Sequence, residues 1–486
     1  MIRLTIDGQA VEVPPGTTVL QAARKLGIDI PTLCFLEGFP PQTSCLVCLV
    51  KVREKNGREK FVPSCGTPAT PDMVVESETP EVAAMRRTSL ELLLSDHVGD
   101  CLAPCQFACP AHMDIPDMLR QIQAGRFDEA IVTIKEDIAL PAVLGRVCPK
   151  PCEKGCRRGS ADGAVAVCDL KRIVADWDLA REHFYLPPCE PASGKRVAVV
   201  GAGPTGLSAA YYLRRRGHDV VLYDRLPRPG GRLRGETGEI DPADLPGEVL
   251  DREIAAVLAL GIEFRGETAL APRGSSQGVS LPALEKEFDA VLICIGEQKK
   301  DVWESLGLSA GPRGAAVERG TFRTAIPGVF AAGNAIRGRG LVVRSCADGK
   351  EAAYAVDRFL KEGAAAPRPE AFSVRIGKLA PEELAELRSL ALDAPREELK
   401  ASLDVLDPHA AATQAGRCLH CDCRALPGCR LRRYAEKYGA DPNRYKGERA
   451  VLRLQYKDSN VLYEPGKCIV CGLCVAVTEA ARAPLG

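Results

Sequence analysis

The chain has 486 residues, of which 46% are hydrophobic and 26% are charged, and its 64 Lys and Arg balance its 64 Asp and Glu. This length predicts three or four domains, and the balanced charge creates no net field that would favour nucleic acid or an anionic membrane as a partner. No apolar run approaches the roughly 20 residues that span a bilayer. The N-terminus MIRLTIDGQAVEV predicts a strand and lacks the apolar core of a signal peptide. We therefore expect a cytoplasmic protein without direct membrane insertion.

Cysteine is the unusual residue of this chain, which contains 21 of them. Spacings of two to four residues let several thiolates converge on one metal centre, and most of the cysteines follow such spacings. Disulfides belong mainly to short secreted chains, and zinc sites usually come as two separated pairs, so groups of three or four cysteines favour iron–sulfur clusters over both. The five groups are Cys34/Cys45/Cys48/Cys65, Cys101/Cys105/Cys109, Cys148/Cys152/Cys156 followed by Cys168, Cys418/Cys421/Cys423/Cys429, and Cys468/Cys471/Cys474.

Residues 1–95 predict a β-hairpin that turns at Asp7-Gly8, then a helix, a loop and a second hairpin. The loop and the residues after the second hairpin carry the first cysteine group: Cys34, Cys45, Cys48 and Cys65. The arrangement resembles the β-grasp fold of [2Fe-2S] ferredoxins. Its spacing C-x10-C-x2-C-x16-C is closer to the N-terminus of the large iron–sulfur subunit of complex I than to plant-type ferredoxin. The resemblance implies a [2Fe-2S] cluster held by these four cysteines.

Residues 96–190 contain DCLAPCQFACPAHMDIP and GRVCPKPCEKGCRRG. These motifs resemble the helical iron–sulfur domain of the glutamate synthase small subunit, which also begins dihydropyrimidine dehydrogenase. In that family, two [4Fe-4S] clusters share ligands from both segments. Carried over by motif position, the resemblance assigns Cys101, Cys105 and Cys156 to one cluster, and Cys109, Cys148 and Cys152 to the other.

Each of these two clusters then lacks one ligand. For the first cluster the chain offers His97, which is either a ligand or a surface or capping residue. For the second, Lys171 stands where relatives carry Gln or Glu, and a lysine cation has no lone pair to donate. Cys168, three residues earlier on the same helical face, either replaces it or is a buried structural thiol.

Residues 195–362 begin with an apolar strand that runs into GAGPTG, and a second strand ends at Asp224. A strand, a glycine turn, a helix and an acidic residue together make a dinucleotide-binding fingerprint. RPGGRL, DAVLICIG and TAIPGVFAAGNA resemble motifs of flavoproteins with two dinucleotide domains, which favours FAD over NAD. The residues so assigned to FAD are Gly201, Gly203, Gly206, Asp224, Gly231, Gly296, Gly333 and Asn334. Asn334 stands where relatives carry Asp.

The nicotinamide-binding domain of these relatives is missing. They insert a second dinucleotide domain, on the order of 100 residues long, between the segments that here contain Gly296 and Gly328, which are only 32 positions apart. No second glycine fingerprint, paired carboxylates or nucleophilic triad is present, so no residue is assigned a catalytic role. Cys294 and Cys346 are expected to pack the flavin domain.

The predicted C-terminal parts are a linker and helical segment over residues 363–412 and an iron–sulfur segment over residues 413–486. RCLHCDCRALPGC carries Cys418, Cys421, Cys423 and Cys429, and GKCIVCGLC carries Cys468, Cys471 and Cys474 in the spacing of bacterial ferredoxins. The second group has no fourth cysteine after it. The segment therefore holds one or two clusters, which gives two to four [4Fe-4S] clusters for the whole chain.

The predicted fold class is multidomain α+β and α/β, with a β-grasp domain, a helical [4Fe-4S] domain, a Rossmann-like FAD domain and a C-terminal ferredoxin-like segment. We expect an electron-transfer subunit of a multi-subunit oxidoreductase, in which FAD is a relay or divides electron pairs by bifurcation. The expected partners are an NADH-oxidising flavin subunit and a catalytic subunit or ferredoxin. The alternatives are a self-contained NAD(P)H oxidoreductase resembling the glutamate synthase small subunit, and a scaffold without redox function.

Overall fold

A computed structural model describes residues 1–235, 240–401, 404, 406–457 and 461–481. Residues 458–460 and 482–486 of the predicted C-terminal iron–sulfur segment lie outside the described residues. In the described ranges the strands, β1 to β16 in chain order, are Ile2–Ile6, Gln9–Val13, Leu49–Arg53, Glu59–Pro63, Val74–Glu76, Arg196–Val200, Asp219–Tyr223, Glu263–Arg265, Leu270–Ala271, Val279–Ser280, Ala290–Ile293, Ala310–Gly311, Gly314–Ala315, Val329–Ala331, Gln455–Lys457 and Val461–Tyr463.

The α-helices of the same ranges, α1 to α18, are Val19–Lys25, Pro80–Ser95, Pro104–Ala108, Ile115–Gln123, Phe127–Asp137, Pro141–Val147, Pro151–Lys154, Val167–Ala180, Pro204–Arg215, Gly247–Leu258, Leu281–Glu287, Lys300–Ser305, Asn334–Arg337, Val342–Glu362, Pro381–Arg388, Pro408–Ala415, Arg430–Tyr438 and Leu473–Ala480. The chain folds into two compact units. The first combines Met1–Leu102, Ala371–Leu387 and Cys421–Gly486, and the second combines Ala103–Glu370 and Arg388–His420.

The first unit contains a five-stranded mixed sheet in the order β2-β1-β5-β3-β4. β1 and β2 form the predicted hairpin, and both residues of its turn, Asp7 and Gly8, have positive φ, as a two-residue hairpin turn requires. Thr18 caps α1: its hydroxyl accepts a hydrogen bond from the Gln21 amide. Leu4, Ile6, Val50 and other apolar residues between Leu4 and Val75 form the core of this sheet. The predicted β-grasp arrangement is present.

Chain segments from the C-terminal part complete the first unit. α2 packs against α17, and the buried Arg86 of α2 donates to the Tyr438 hydroxyl over 2.7 Å. Apolar residues of both helices, among them Leu90 and Leu431, share one cluster with Cys34, Cys45 and Cys101. Side chains that are more than 300 positions apart in sequence therefore pack together in this unit.

The second unit begins with short helices, in which α4 packs on α5 and α6 packs on α8. A parallel sheet follows in the order β14-β11-β6-β7-β8, and α9 and α14 pack against each other beside it. One apolar core contains residues from both parts. Glu253 of α10 also joins them, because its two carboxylate oxygens accept the Ala142 and Val143 amides at 2.6 and 2.7 Å. Burial raises the pKa of Glu253 to about 7.

Candidate redox cofactor sites

The first cysteine group is brought together in the first unit. Cys34 and Cys45 lie in the loop between α1 and β3, Cys48 directly precedes β3, and Cys65 follows β4. All four side chains are buried. The Cys45 amide donates a hydrogen bond to Cys34 Sγ over 3.5 Å. The fold thus places four thiols in one buried neighbourhood although up to 31 residues separate them in sequence.

Contacts among these thiols concentrate negative charge on two of them. Hydrogen bonds from the Cys45 and Cys65 thiols lower the pKa of Cys34, and a hydrogen bond from Cys65 lowers the pKa of Cys48 to about 7. The same contacts raise the pKa of Cys45 and of Cys65. Because the thiolate is the form that binds metal, the buried group has the donor chemistry of an iron–sulfur site.

A second thiol group lies inside the second unit. Cys148 follows the end of α6, Cys152 lies within α7, Cys168 is in the first turn of α8, and Cys109 ends α3. All four are buried. Hydrogen bonds from the Cys148 and Cys152 thiols lower the pKa of Cys168 far below its ordinary value. The structure therefore brings Cys168 to the three cysteines that the sequence assigns to the second [4Fe-4S] cluster.

Lys171 lies beside this second thiol group. Its burial alone would lower its pKa, but attraction to the Cys168 thiolate and to the neighbouring cysteine sulfur atoms raises the pKa above the ordinary value. These neighbouring sulfur atoms belong to Cys148, Cys152 and Cys109. Lys171 is thus a buried cation next to four sulfur ligands. It supplies charge at the position where the resemblance implies a cluster ligand.

Cys101, Cys105 and Cys156, which the sequence assigns to one cluster, fall in different units. Cys101 belongs to the first unit and is buried, which raises its pKa. Cys105 and Cys156 belong to the second unit and are half-buried. The predicted group Cys418/Cys421/Cys423/Cys429 is also divided, because Cys418 is in the second unit and the other three are in the first.

The last cysteine group lies at the start of α18 in the first unit. Cys468 and Cys474 are exposed and Cys471 is half-buried. The Val470 amide donates to Cys468 Sγ over 3.4 Å. A Cβ atom on the neighbouring Gly472 would lie 3.3 Å from the Gln42 side-chain oxygen, so this group lies close to the loop that carries Cys34 and Cys45.

His97 is half-buried, and its Nδ1 has no hydrogen-bond partner within the described part of the chain. Burial, with the nearby charge of Lys467, lowers the pKa of His97 to about 4, so the imidazole is neutral at neutral pH. A neutral imidazole nitrogen is a metal ligand. The residue therefore has the protonation state that ligation requires.

The glycine loop of the second unit has the geometry of a dinucleotide cradle. It connects β6 to α9, and a Cβ on Gly206 would lie 1.8 Å from the Gly201 carbonyl oxygen, so only glycine fits there. A Cβ on Gly203 would meet no atom within 4 Å. That free space lies at the N-terminus of α9, where the backbone of such folds approaches a pyrophosphate. The loop therefore fits FAD.

Asp224 follows β7 and holds this loop. One carboxylate oxygen accepts the Ala202 amide at 2.6 Å and the other accepts the Leu226 amide at 2.9 Å. Each oxygen retains a further lone pair, which is available to a ribose hydroxyl. Asp224 thus orients the backbone around the predicted cofactor position.

The other predicted flavin residues surround the same strand ends. Gly231 packs against Gly203, since a Cβ added to Gly231 would lie 3.0 Å from the Cα of Gly203. Gly296 follows β11 and has a φ of +75°. Gly333 has no room for a side chain, because a Cβ would lie 2.1 Å from Thr205 Oγ1. Asn334 begins α13, and its side-chain oxygen accepts from the Ser345 hydroxyl at 3.4 Å.

The segment between β11 and β14, residues 294–328, is fully described. It contains the six-residue helix α12 and the two-residue strands β12 and β13, which pair with each other. A second dinucleotide-binding domain needs on the order of 100 residues and a sheet of its own. Residues 294–328 hold no such domain.

Sequence reasoning missed two contributors to these sites. Gly349 of α14 allows close contact with α9, since a Cβ there would lie 2.3 Å from the Thr205 carbonyl oxygen; an isolated glycine within a helix was the available signal. Glu153 accepts the Cys168 amide at 3.0 Å and is paired with Arg396 at 2.7 Å. No sequence motif indicates that second contact, because 243 residues separate its partners.

Three known domains match the chain: a 2Fe-2S iron–sulfur cluster binding domain over residues 1–80, the dihydropyrimidine dehydrogenase domain II with its 4Fe-4S cluster over residues 96–183, and a pyridine nucleotide-disulphide oxidoreductase domain over residues 160–349. The chain thus combines two iron–sulfur domains with a flavin-binding oxidoreductase domain. The predicted resemblance to the glutamate synthase small subunit, with a [2Fe-2S] domain before it, is confirmed, as are FAD, [2Fe-2S] and [4Fe-4S] as cofactor classes.

Three curated relatives of this iron–sulfur flavoprotein are named as enzyme subunits. The beta subunit of NADP(+)-dependent formate dehydrogenase from Moorella thermoacetica is 38% identical over 215 residues, which cover 40% of this chain and 29% of that protein. The beta subunit of NADPH-Fe(3+) oxidoreductase from Geobacter sulfurreducens (strain DL-1 / KN400) is 37% identical over 214 residues, 44% of this chain and 31% of that protein. The dihydropyrimidine dehydrogenase subunit PreT from Salmonella typhimurium is 37% identical over 211 residues, 42% of this chain and 49% of that protein. The chain thus spans less than half the length of each.

Within the described ranges, no helix combines the length and apolar character needed to cross a bilayer. In the same ranges, no three or more His, Cys, Asp or Glu side chains are arranged around the position of a single metal ion.

Proposed function

We propose that this iron–sulfur flavoprotein is an electron-transfer subunit that relays electrons between an NADH-oxidising flavin subunit and a catalytic subunit or ferredoxin. The observation that carries the proposal is the short segment 294–328, which leaves no second dinucleotide domain beside the flavin site. We infer that the flavin exchanges its electrons with the iron–sulfur clusters of this chain. The relatives named as beta subunits support a role inside a larger enzyme.

The proposal assigns a cofactor to each well-defined group of side chains. Cys34, Cys45, Cys48 and Cys65 hold a [2Fe-2S] cluster, and their burial and thiol contacts support this assignment. Cys109, Cys148, Cys152 and Cys168 hold a [4Fe-4S] cluster, with Cys168 as the fourth ligand. The glycine loop and Asp224 bind FAD.

The protein's own contribution is to position these groups and to set their charge. When bound, the clusters supply one-electron steps, and FAD connects one-electron with two-electron chemistry. Lys171 offsets negative charge at the second thiol group. Asp224 fixes the backbone amides of the flavin loop through the Ala202 amide. The predicted domains 1–95, 96–190, 195–362 and 413–486 remain the proposed cofactor-binding parts.

The test is an anaerobic reduction of the full chain with its cofactors bound. We expect dithionite to bleach the flavin and cluster absorbance, and neither NADH nor NADPH to do so. The matched control is Gly203→Ala, which we expect to fold and keep its iron but to lose FAD, because the added methyl group fills the space that faces the pyrophosphate. Subtracting the absorbance spectrum of Gly203→Ala from that of the wild-type chain then gives the contribution of the flavin.

Two other outcomes would replace the proposal. Rapid flavin bleaching by NADH or NADPH alone would identify a self-contained NAD(P)H oxidoreductase. Failure of dithionite to reduce any centre would identify a scaffold. Gly247→Ala serves as the control for the glycine substitution itself, because a Cβ at Gly247 also meets no atom within 4 Å and the residue lies at the start of α10, away from the glycine loop in sequence.

A further inference from the structure

Cys101, Cys423 and Cys429 lie together in the first unit. The Cys423 amide donates a hydrogen bond to the Cys101 carbonyl oxygen over 3.2 Å, although the two residues are 322 positions apart. Cys101 and Cys429 belong to the same apolar cluster, together with Val374 and Leu431. The fold therefore brings Cys101 close to two cysteines that no sequence motif connects to it.

Backbone amides already face two of these sulfur atoms. The Val374 amide donates to Cys101 Sγ over 3.4 Å, and the Arg432 amide donates to Cys429 Sγ over 3.4 Å. Cys429 is the N-cap of α17, where free amides and the helix dipole favour a thiolate. Hydrogen bonds to ligand sulfurs are a regular feature of iron–sulfur sites, where they tune the potential.

His97 can complete a set of four ligands. It is the fourth residue before Cys101, and its neighbour Val98 is held by a 2.7 Å hydrogen bond from its amide to the Gly466 carbonyl oxygen. Its buried Nδ1 has no partner within the described ranges. A buried polar atom without a partner is costly, and metal ligation would satisfy it.

We propose that His97, Cys101, Cys423 and Cys429 bind one [4Fe-4S] cluster, assembled from two distant stretches of the first unit. The inference rests on the proposed function, because it assumes that this chain carries iron–sulfur clusters. It replaces the predicted sets that grouped Cys101 with Cys105 and Cys156. It also removes Cys423 and Cys429 from the predicted C-terminal cluster.

The site would lie beside the [2Fe-2S] group. Cys34 and Cys45 share the apolar cluster that contains Cys101 and Cys429. Arg430, next to Cys429, donates to the Thr32 hydroxyl over 3.2 Å, close in sequence to Cys34. Electrons that enter the [2Fe-2S] cluster would therefore have a neighbouring acceptor within the same unit.

The test compares single variants of the full chain by iron content and by electron paramagnetic resonance of the dithionite-reduced protein. We expect Cys101→Ser, Cys423→Ser and Cys429→Ser each to lose about four irons and the same spectral component. His97→Ala should weaken or remove that component, and His97→Cys should keep the iron but change the spectrum. FAD content and circular dichroism show whether each variant is folded. Cys189→Ser is the matched control, because Cys189 is exposed and belongs to none of the groups.

The outcomes separate this inference from the proposed function. If Cys101→Ser and Cys105→Ser remove one component while Cys423→Ser removes another, the inference is overturned and the proposed function stands. If His97→Ala removes the component that Cys468→Ser removes, His97 belongs to the C-terminal group and the proposed ligand set is wrong. A wild-type chain that binds zinc in place of iron would overturn both.

Discussion

Lys171 is buried among cysteines, and burying a lysine cation is unfavourable unless negative charge lies close to it. Its side chain is almost fully buried, and it stays cationic because the nearby cysteine sulfur atoms, Cys168 first among them, stabilise its charge. A reduced cluster carries one more negative charge than an oxidised one. A fixed cation nearby therefore favours reduction and raises the potential.

We predict that Lys171→Met lowers the midpoint potential of the cluster proposed for Cys109, Cys148, Cys152 and Cys168. At an effective dielectric constant of about 20, a unit charge several Å away contributes roughly 2–4 kcal/mol, or on the order of 100 mV for one electron. A redox titration followed by paramagnetic resonance measures the change. Lys154→Met is the control, since Lys154 is an exposed lysine at the end of α7, the helix that contains Cys152. Equal potentials in the two variants would show that Lys171 does not act on the cluster.

The sequence already named Lys171 as the odd residue at a ligand position, but it left Cys168 open between a ligand and a structural thiol. Helical spacing places the two residues on one face of α8, and it cannot say what that face contacts. That answer came from packing: α8 lies against α6 and α7, whose ends carry Cys148 and Cys152. At this scale, local motifs predict which residues matter, and tertiary contacts decide how they combine.

Among the elements, α15 shows how a short helix is fixed within the first unit. Its Glu383 is buried and pairs with both terminal nitrogens of the Arg449 guanidinium, at 2.5 and 2.7 Å. It also accepts the Leu452 and Ala380 amides at 2.7 and 2.8 Å. These contacts join the Ala371–Leu387 segment to the C-terminal stretch. The Arg449 hydrogen bonds lower the pKa of Glu383 to about 2.

We predict that Glu383→Gln destabilises the first unit by about 2 kcal/mol at pH 7, because one neutral amide cannot replace a carboxylate that accepts four hydrogen bonds. The pKa of Glu383 is lower in the folded than in the unfolded chain, so its contribution is complete above pH 4.5 and is lost as pH falls towards 2. Calorimetric unfolding should therefore show that the difference in the free energy of unfolding between wild type and Glu383→Gln becomes smaller as the pH falls from 4.5 towards 2. The exposed Glu382→Gln is the control. A constant difference between pH 7 and pH 3 would contradict the ionic explanation.

Elements with a local signal were predictable, and elements that depend on distant partners were not. The hairpin at Asp7-Gly8 and the strand, glycine turn and helix of the flavin site follow from backbone preferences within a few residues. The position of α15 follows from Arg449, 66 residues away from Glu383. No periodicity in the sequence expresses such a contact.

On the scale of the whole molecule, the first unit is interrupted by the second in sequence. Residues 1–102 and 421–486 belong to the first unit, and the stretch 103–420 stands between them in sequence. Of that stretch, only Ala371–Leu387 belongs to the first unit. The resemblance groups Cys101 with Cys105 and Cys156 by motif position, but these two residues lie in the second unit. Cysteine spacing cannot reveal this discontinuity, because the cysteines on either side of the insertion are more than 300 residues apart.

Within the first unit, the β-grasp sheet has a core of its own, because its buried apolar residues all lie between Leu4 and Val75. Ser77, which follows the last strand of this sheet, is joined to the first hairpin: its amide and hydroxyl donate hydrogen bonds to the Asp7 carboxylate over 2.7 and 2.6 Å. A different apolar cluster covers Cys34, Cys45 and Val47, with side chains from α2 and α17. The residues that form the core of the sheet are thus different from the residues of α2 and α17 that cover the loop containing Cys34 and Cys45.

We predict that a fragment of residues 1–79 folds and binds a [2Fe-2S] cluster, but loses its iron to a chelator at least roughly tenfold faster than the full chain. The fragment keeps its core and all four cysteines, whereas the loop around Val47 loses its cover, and local opening then costs less free energy. Visible circular dichroism monitors the cluster in both proteins. The same fragment with Cys65→Ser should form no cluster, which controls for adventitious iron. If the fragment is unfolded, the sheet depends on α2 and α17, and its core is not independent.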